Sequence, residues 1–296
     1  MFNGKPVRPI DHVVLSLPDL DQACRRFGDL GFQTTPVARH NFGTENVIIP
    51  FSNGTFIEPL AIGDADDIAA YQNKRHPFVV RDQAYRYRHG GESFAGGFSM
   101  LVFSGDDVKK DRKLFRRAGL NTGKISRVKR PGLNIRTTFA MDERANDCTL
   151  FICERGDGVV EFDEHLTSHA NGAIRLSRVV MVDDHPGDFC QYLGVVSGRQ
   201  DPVQTDWGFD FALANGLLSI ITPDGLKNEY GIDLTSPLLR NGPRLVTYDV
   251  AVRSLDATAM MLAEKGIHAS QVGNRVVVAN APGQGTALAF VEEEKL

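Results

Sequence analysis

The sequence predicts an α+β protein built from four copies of one strand–helix–three-strand unit, βαβββ. Three observations predict it. Apolar, strand-like runs near 11–17, 98–103, 174–182 and 245–252 are each followed by a helical stretch. In three of the four units the helix runs into a glycine and an apolar residue, as Gly31-Phe32, Gly119-Leu120 and Gly266-Ile267. Glycine takes the left-handed conformation that a chain needs just past a helix C-terminus. The spacing from strand to glycine is about 20 residues in the first two units, which marks an internal repeat.

The first unit spans 9–62. Its strand at 11–17 leads through Pro18-Asp19 into a helix ending near Leu30, with acidic residues in the first turn where they suit the helix dipole. Strands are expected over 32–38, 45–50 and 55–61, the last two joined by the hairpin chemistry of Ser52-Asn53-Gly54. From Gly63 to Gly97 the pattern loosens: a short helix at 64–73, then a loop at 85–91 whose Tyr and Arg residues could cover a pocket mouth or merely connect the units.

The second unit, 97–154, has a helix at 107–118 and strands at 122–129, 135–141 and 148–153. An acidic, polar linker follows at 155–172. The third unit, 174–222, has a helix near Pro186–Leu193 and strands at 207–213 and 217–222. A connection at 225–242 containing Pro237 leads to the fourth unit, 245–292, with a helix at 255–265 and strands at 275–280 and 287–291. Paired units give two domains, 1–160 and 173–296.

Composition narrows the classes of function. The 296 residues are 42% hydrophobic and 24% charged, the balance of a soluble globular protein. A formal net charge of -4 offers no electrostatic case for a nucleic-acid partner. The basic run at 124–130 reads as a solvated loop or an edge strand, where Lys and Arg block unwanted pairing. Cys24, Cys148, Cys153 and Cys190 have no zinc-type spacing and read as reduced thiols. With no signal-peptide pattern and no membrane-length apolar run, a cytoplasmic protein with a small-molecule substrate is expected. A homodimer stays open.

Residues of the first unit carry a resemblance. Asp11-His12-Val13-Val14, Phe27-x-x-Leu30-Gly31-Phe32, Arg39-His40-x-x-Gly43-Thr44-x-Asn46 and Phe56-Ile57-Glu58 together resemble the vicinal oxygen chelate superfamily, in particular its glyoxalase-like domain branch. Glyoxalase I, extradiol dioxygenases and fosfomycin-resistance proteins belong to that superfamily. The motif likeness covers 9–62, and the remainder is alike in topology. It implies two paired-module glyoxalase/dioxygenase-like domains. Each pair forms a cleft where His, Glu or Gln hold a divalent metal (zinc, manganese, nickel or iron) and vicinal substrate oxygens complete the coordination.

By that likeness His12 and Glu58 occupy the metal-ligand positions of the first unit. The matching positions fall near Ser99 and Phe151 in the second unit, near Arg178 and Ile220 in the third, and near Tyr248 and Phe290 in the fourth. The second domain therefore looks like a copy without a metal.

Each candidate has a functional and a plain reading. His12 is a good imidazole ligand, or a hydrogen-bonded histidine at a strand start. Glu58, in an apolar strand, must be metal-bound, hydrated in a pocket or ion-paired, since burying a lone carboxylate costs several kcal/mol. It is the residue on which a site most depends. His40 sits on a glycine-containing bend as third ligand, general base or surface histidine. Thr44, Asn46 and Ser99 are candidate substrate contacts. His169 reads as a solvated linker histidine, and Arg178 as half of an interdomain salt bridge. Gly283-Gln284-Gly285 reads as a hairpin turn, not a phosphate cradle.

The function expected is a glyoxalase/dioxygenase-like enzyme acting on a small oxygen-rich molecule through a metal Lewis acid, of isomerase or lyase type. Glu58 or His40 would move the proton. The alternatives are metal-free acid/base catalysis and a ligand-binding or sequestration protein using the same cleft.

Overall fold

The computed structural model describes residues 7–130, 133–156, 162–234 and 239–293. Strand β1 (Ile10–Ser16) is buried along its whole length. Asp19 caps helix α1 (Leu20–Asp29) by accepting from the Gln22 amide, and Leu20, Ala23 and Phe27 form its buried stripe. Such a cap is worth about 1 kcal/mol. Then come β2 (Ala38–Arg39), β3 (Thr44–Asn46), β4 (Ile49–Pro50) and β5 (Phe56–Ile62). The strand expected over 32–38 survives only as β2, because Pro36 has no amide to give a ladder. The expected strand at 45–50 is split, since the Ile48 amide goes to Thr35 Oγ1.

Between the first two units lie α2 (Ala65–Asn73) and α3 (Pro77–Arg88). The expected loop at 85–91 is corrected here. Residues 85–88 are the last turn of α3, and Tyr85 and Arg86 are buried. Pro77 in the first turn suits a helix start, and Arg86 gives its guanidinium to the carbonyls of Leu17 and Leu60, closing the ends of β1 and β5. The second unit comprises β6 (Gly97–Ser104), α4 (Val108–Arg117), β7 (Ser126–Arg130), β8 (Leu133–Ala140) and β9 (Thr149–Arg155).

After a short α5 (Glu164–Thr167), the third unit runs β10 (Ala173–Val182), α6 (Cys190–Ser197), β11 (Val203–Gln204), β12 (Gly208–Ala212) and β13 (Leu217–Ile221). The expected connection at 225–242 begins instead with a helix, α7 (Pro223–Tyr230), capped by Thr222 and closed by left-handed Gly231. Pro237 lies outside the described residues. The fourth unit is β14 (Arg244–Val252), α8 (Leu255–Glu264), β15 (Ala269–Val272), β16 (Arg275–Val278) and β17 (Leu288–Glu292).

Among the described residues these strands form two curled sheets. The first has nine strands, ordered β2-β3-β5-β1-β6-β9-β8-β7 with β4 also on β5; the second has eight, ordered β11-β12-β13-β10-β14-β17-β16-β15. In each, two units meet at a central antiparallel pair, β1·β6 or β10·β14, flanked by parallel pairs. The α+β class and the paired units stand. The basic run forms edge strand β7. No helix among the described residues is long and apolar enough to cross a membrane.

One hydrophobic cluster joins both halves, with Phe27 and Phe32 beside Phe290, and Phe98 edge-on to Tyr248. Polar clasps reinforce it: Asn215 exchanges two hydrogen bonds with the backbone of Ile10, and Leu176 gives its amide to Thr55 Oγ1. Gln284 is also a clasp, fully buried and accepting from Arg26, so its turn docks on α1 instead of lying free.

His169 corrects its expected reading. It is buried, accepts the Gln33 amide at Nδ1 (3.0 Å) and donates Nε2–H to the Pro50 carbonyl (2.8 Å). The bond accepted at Nδ1 requires the neutral ring. Burial lowers its pKa from 6.5, and Arg253 adds to that against the Pro50 bond. With the folded value below the unfolded one, stability is intact above about pH 6.5 and is lost as pH falls below it, because the unfolded chain takes the proton first. His169→Gln keeps a donor and an acceptor, so urea denaturation should show a flatter loss of stability between about pH 7 and pH 5. An unchanged slope would put the acid sensitivity elsewhere.

The second sheet's concave face is filled. Leu226, Tyr230 and Leu239 pack on Val180, Val182 and Val246. Arg178 does not bridge the two halves. It binds Glu229 (2.5 Å), Ser219 (2.7 Å) and Asp210 (3.5 Å), all within the second.

Candidate active site in the first cleft

Side chains alternate along a strand, so His12, Val14 and Ser16 share one face of β1 and Phe56, Glu58 and Leu60 one face of β5. The parallel register sets His12 beside Phe56 and Val14 beside Glu58. His12 and Glu58 are therefore diagonal neighbours on one surface, and His12 Nε2 lies 3.3 Å from Glu58 Oε2. The His12 ring stacks on Phe56 with centroids 4.3 Å apart, which fixes its plane.

The register of β1 on β6 slips between Ile10 and His12. Such a bulge re-aims side chains. Here the carboxylate of Asp11 reaches the next residue's ring, Oδ1 accepting from His12 Nδ1 at 2.5 Å. Asp11 is itself held by Arg155 (2.6 Å) and Ser104 (2.8 Å). With Nδ1 occupied, His12 presents Nε2 to the cleft.

Electrostatics reinforce the geometry. Burial disfavours the charged form of His12, but the carboxylates of Asp11 and Glu58 outweigh it and raise the pKa. Burial pushes Glu58 up, yet His12, His40 and Asn46 bring it below its ordinary value. For Asp11 burial is likewise outweighed, by His12 and Arg155, and the carboxyl is held far down. Asp11, His12 and Glu58 thus each favour the charged form of the next.

His40 arrives from the bend between β2 and β3. Gly43 permits that bend at φ 95°, with its carbonyl accepting the amides of Gly63 and Asp64; a Cβ there would lie 2.6 Å from the Asp64 carbonyl. His40 Nδ1 pairs with Thr44 Oγ1 (2.9 Å), and Nε2 lies 4.0 Å from Glu58 Oε1. Asn46 donates to the same Oε1 at 2.5 Å, leaving its own Oδ1 buried without a hydrogen-bond partner.

A cavity of about 200 Å³ opens above this floor. Phe42, Phe78, Phe151, Val128 and Ile135 make much of its wall. Of the expected site residues, His12, His40, Asn46 and Glu58 line it. Thr44 stands behind His40. Ser99 lies outside the lining, in a buried chain where Ser16 bonds both Ser99 (2.8 Å) and Asp82 (2.7 Å).

Register also corrects the counterpart positions. His12 faces Val102 and Val14 faces Met100 across the central pair, so pseudo-symmetry sets Met100, not Ser99, against His12. Phe151 matches Glu58, as expected. In the second sheet the counterparts on β10 and β13 are Arg178 and Ser219. On β14 and β17 they are Thr247 or Asp249 with Ala289, instead of Tyr248 with Phe290.

Sequence reasoning did not select several of the lining residues, among them His76, Arg155 and Phe162. His76 sits just before α3, stacks on Phe42 and bonds Ser126 on β7 (2.7 Å), joining the inserted helices to the edge hairpin. Burial and nearby His40 lower its pKa. The His76-Pro77 pair at a helix start was the available signal. Arg155 and Phe162 had no local signal. Cys153 also lines the cavity, but burial pushes its thiol pKa up, which disfavours the reactive thiolate.

The glyoxalase-like domain family matches residues 10–193. Comparison with curated proteins finds no match. Among solved structures, a mutant of 4-hydroxymandelate synthase from Streptomyces coelicolor is similar at 12% identity and TM-score 0.65, covering 97% of this chain and 93% of its own. A Mn(II)-bound glyoxalase from Novosphingobium aromaticivorans is similar at 12% identity and TM-score 0.60, covering 98% and 83%. The 2,3-dioxygenase LapB from Pseudomonas sp. KL28 is similar at 10% and 0.59, covering 98% and 94%. At these identities the structures establish a shared fold.

Proposed function

The chain belongs to the glyoxalase-like domain family of the vicinal oxygen chelate superfamily, and from that premise we propose that its first cleft is the active site of a glyoxalase/dioxygenase-like enzyme. Its substrate is a small molecule bearing neighbouring oxygen atoms, and isomerase or lyase chemistry is the type favoured. One observation carries the reading. A histidine backed by a carboxylate and a buried glutamate meet at 3.3 Å on the floor of a largely apolar cavity.

The donor set fits a divalent metal in part. Two atoms bonded to one ion at about 2.1 Å are at most about 4.2 Å apart. The spans His12 Nε2–Glu58 Oε2 (3.3 Å) and His40 Nε2–Glu58 Oε1 (4.0 Å) both satisfy that limit. The Asp11 carboxylate behind His12 is the usual support of a metal-binding imidazole, and the unpaired Asn46 Oδ1 is a further buried oxygen. Against this, among the described residues no three His, Cys, Asp or Glu side chains are gathered as a finished metal centre. His12 and Glu58 therefore fit as a pair, with His40 at the limit of reach.

His12 and Glu58 would hold the ion, which would supply Lewis acidity toward a substrate oxygen, with His40 kept for proton transfer. The chain's own groups do the rest. Asp11 and Phe56 orient His12, and Asn46 orients Glu58. His40 Nε2, set by Thr44 at the opposite ring nitrogen, is placed to take a proton from bound substrate and return it. The aromatic wall excludes water, which strengthens each of these interactions.

Elemental analysis by mass spectrometry of protein purified without a histidine tag tests this. About one divalent metal per chain is expected, lost in His12→Ala. No metal after incubation with zinc, manganese, nickel and ferrous iron would sink it. The apolar Met100 and Phe151 facing the floor favour a second reading in that event: metal-free acid/base catalysis, or ligand sequestration, by the Glu58–His12–Asp11 chain.

A further inference from the structure

We infer that Arg155 is a positioning residue of the first cleft: its guanidinium holds the two groups that fix the His12 ring, Asp11 and Phe56, and is within reach of a second cavity behind the floor. The inference rests on the reading that His12 works in this cleft, and it adds a residue that acts through two others.

Strand geometry places the side chain. Phe151, Cys153 and Arg155 share one face of β9, because side chains alternate along a strand. β6 stands between β9 and β1, a separation of about 10 Å at the usual strand spacing. It ends at Ser104, opposite Cys153, so the long Arg155 side chain crosses beyond that end toward Asp11.

Two contacts follow. Arg155 Nη2 donates to Asp11 Oδ1 at 2.6 Å and Nε to Oδ2 at 3.3 Å, while the guanidinium carbon lies 5.6 Å from the centre of the Phe56 ring. Asp11 Oδ1 in turn accepts from His12 Nδ1 at 2.5 Å, and Phe56 stacks on the His12 ring at 4.3 Å. The four groups close a circuit. The hydrogen bond sets the direction of Nδ1, the stack sets the ring plane, and Arg155 ties the two supports to each other. A planar guanidinium offers a fork for the carboxylate and a flat face for the ring, and an ammonium offers neither. Joining the strands does not require this arginine, since the β6 ladders already connect β1 and β9.

Behind the floor lies a cavity of about 330 Å³, lined in part by Asp11, Asn53, Ser104, Arg155 and, from the other half of the chain, Asn215. Arg155 and Cys153 line both this cavity and the first cleft. The guanidinium is therefore part of the wall between them, and truncating it leaves a hole that a small cation can enter from the rear.

The test uses metal-free protein carrying labelled histidine. NMR relaxation reads the order of the His12 ring, and competition with a chelator then reads zinc affinity. In Arg155→Ala the ring should lose order and zinc affinity should fall by about tenfold or more, the usual cost of removing support behind a metal ligand. Arg155→Lys keeps the charge and should still match Arg155→Ala in both readings; it carries the test alone if the alanine variant does not fold. Methylguanidinium should restore both readings in Arg155→Ala, and methylammonium should not. Arg136→Ala, which breaks a different ion pair of the same sheet, with Glu154, should leave both as in the wild type. Unchanged ring order in Arg155→Ala, wild-type behaviour of Arg155→Lys, or an equal loss in Arg136→Ala would overturn the inference. So would restoration by methylammonium or none by methylguanidinium. Loss and rescue of ring order in a protein that takes up no zinc would uphold the role of Arg155 and count against the metal reading. Zinc bound alike by wild type and Arg155→Ala, with ring order unchanged, would do the reverse.

Discussion

Glu58→Gln should lower turnover by at least about 10–100-fold, the cost even of losing a partner behind a metal ligand, with the fold retained. Glu58 is buried, and its two oxygens serve Asn46, His12 and His40. Glutamine keeps the length and still accepts from Asn46, so packing around β5 survives. It loses the charge, and with it one of the two carboxylates that hold the His12 pKa up against burial. In metal-free protein the His12 imidazole should therefore titrate at lower pH in the variant than in the wild type, as read by NMR. The sign also reaches stability. A raised folded pKa stabilises fully below the unfolded value near 6.5 and is lost as pH rises through the folded value, so this acid-side benefit should shrink in Glu58→Gln. Turnover within threefold of wild type, with His12 titrating unchanged, would move the active site out of this cleft.

Arg178→Met should destabilise the protein by about 3–5 kcal/mol, the range for removing one partner of a buried ion pair. Arg178 is buried among Glu229, Asp210 and Ser219, and its guanidinium lies over Tyr230. Methionine restores volume but no charge, so Glu229 and Asp210 lose a buried counter-ion. Arg275 can compensate only in part, at 3.6 Å from Glu229 and already bound to Asp249. A melting point lower by roughly 10 °C is expected for a chain of this size, with ligand binding in the first cleft unchanged. A loss under about 1 kcal/mol would mean that the cluster is solvated, as surface pairs are.

These two residues separate what a sequence can show from what it cannot. Glu58 was legible because a carboxylate inside an apolar strand requires a partner wherever the strand lies. Arg178 posed the same demand, and the demand was real, but the partner was misassigned. Its partners sit on α7 and β12, far along the chain, and α7 itself was read as a connection. His169 failed in the opposite direction. Linker composition suggested solvent, whereas the ring bridges Gln33 and Pro50 inside the core. Ser99 was off by one residue: the register pairs Val14 with Met100 and sets Met100 as the counterpart of His12.

By itself the sequence determined the repeated unit, the α+β class, the family motif over the first unit, and the shared strand faces that carry His12 and Glu58. All of these follow from local periodicity, helix-ending glycines and residue spacing, which neighbouring residues decide among themselves. Tertiary structure alone decided that the second cleft is filled by α7 while the first stays open, and that His76, Arg155 and Phe162 join the wall. It also decided that Asp11 turns onto His12. These depend on register, on a bulge and on contacts between residues more than a hundred positions apart, as between Arg155 and Asp11. Such contacts are fixed by packing, and no local pattern encodes them.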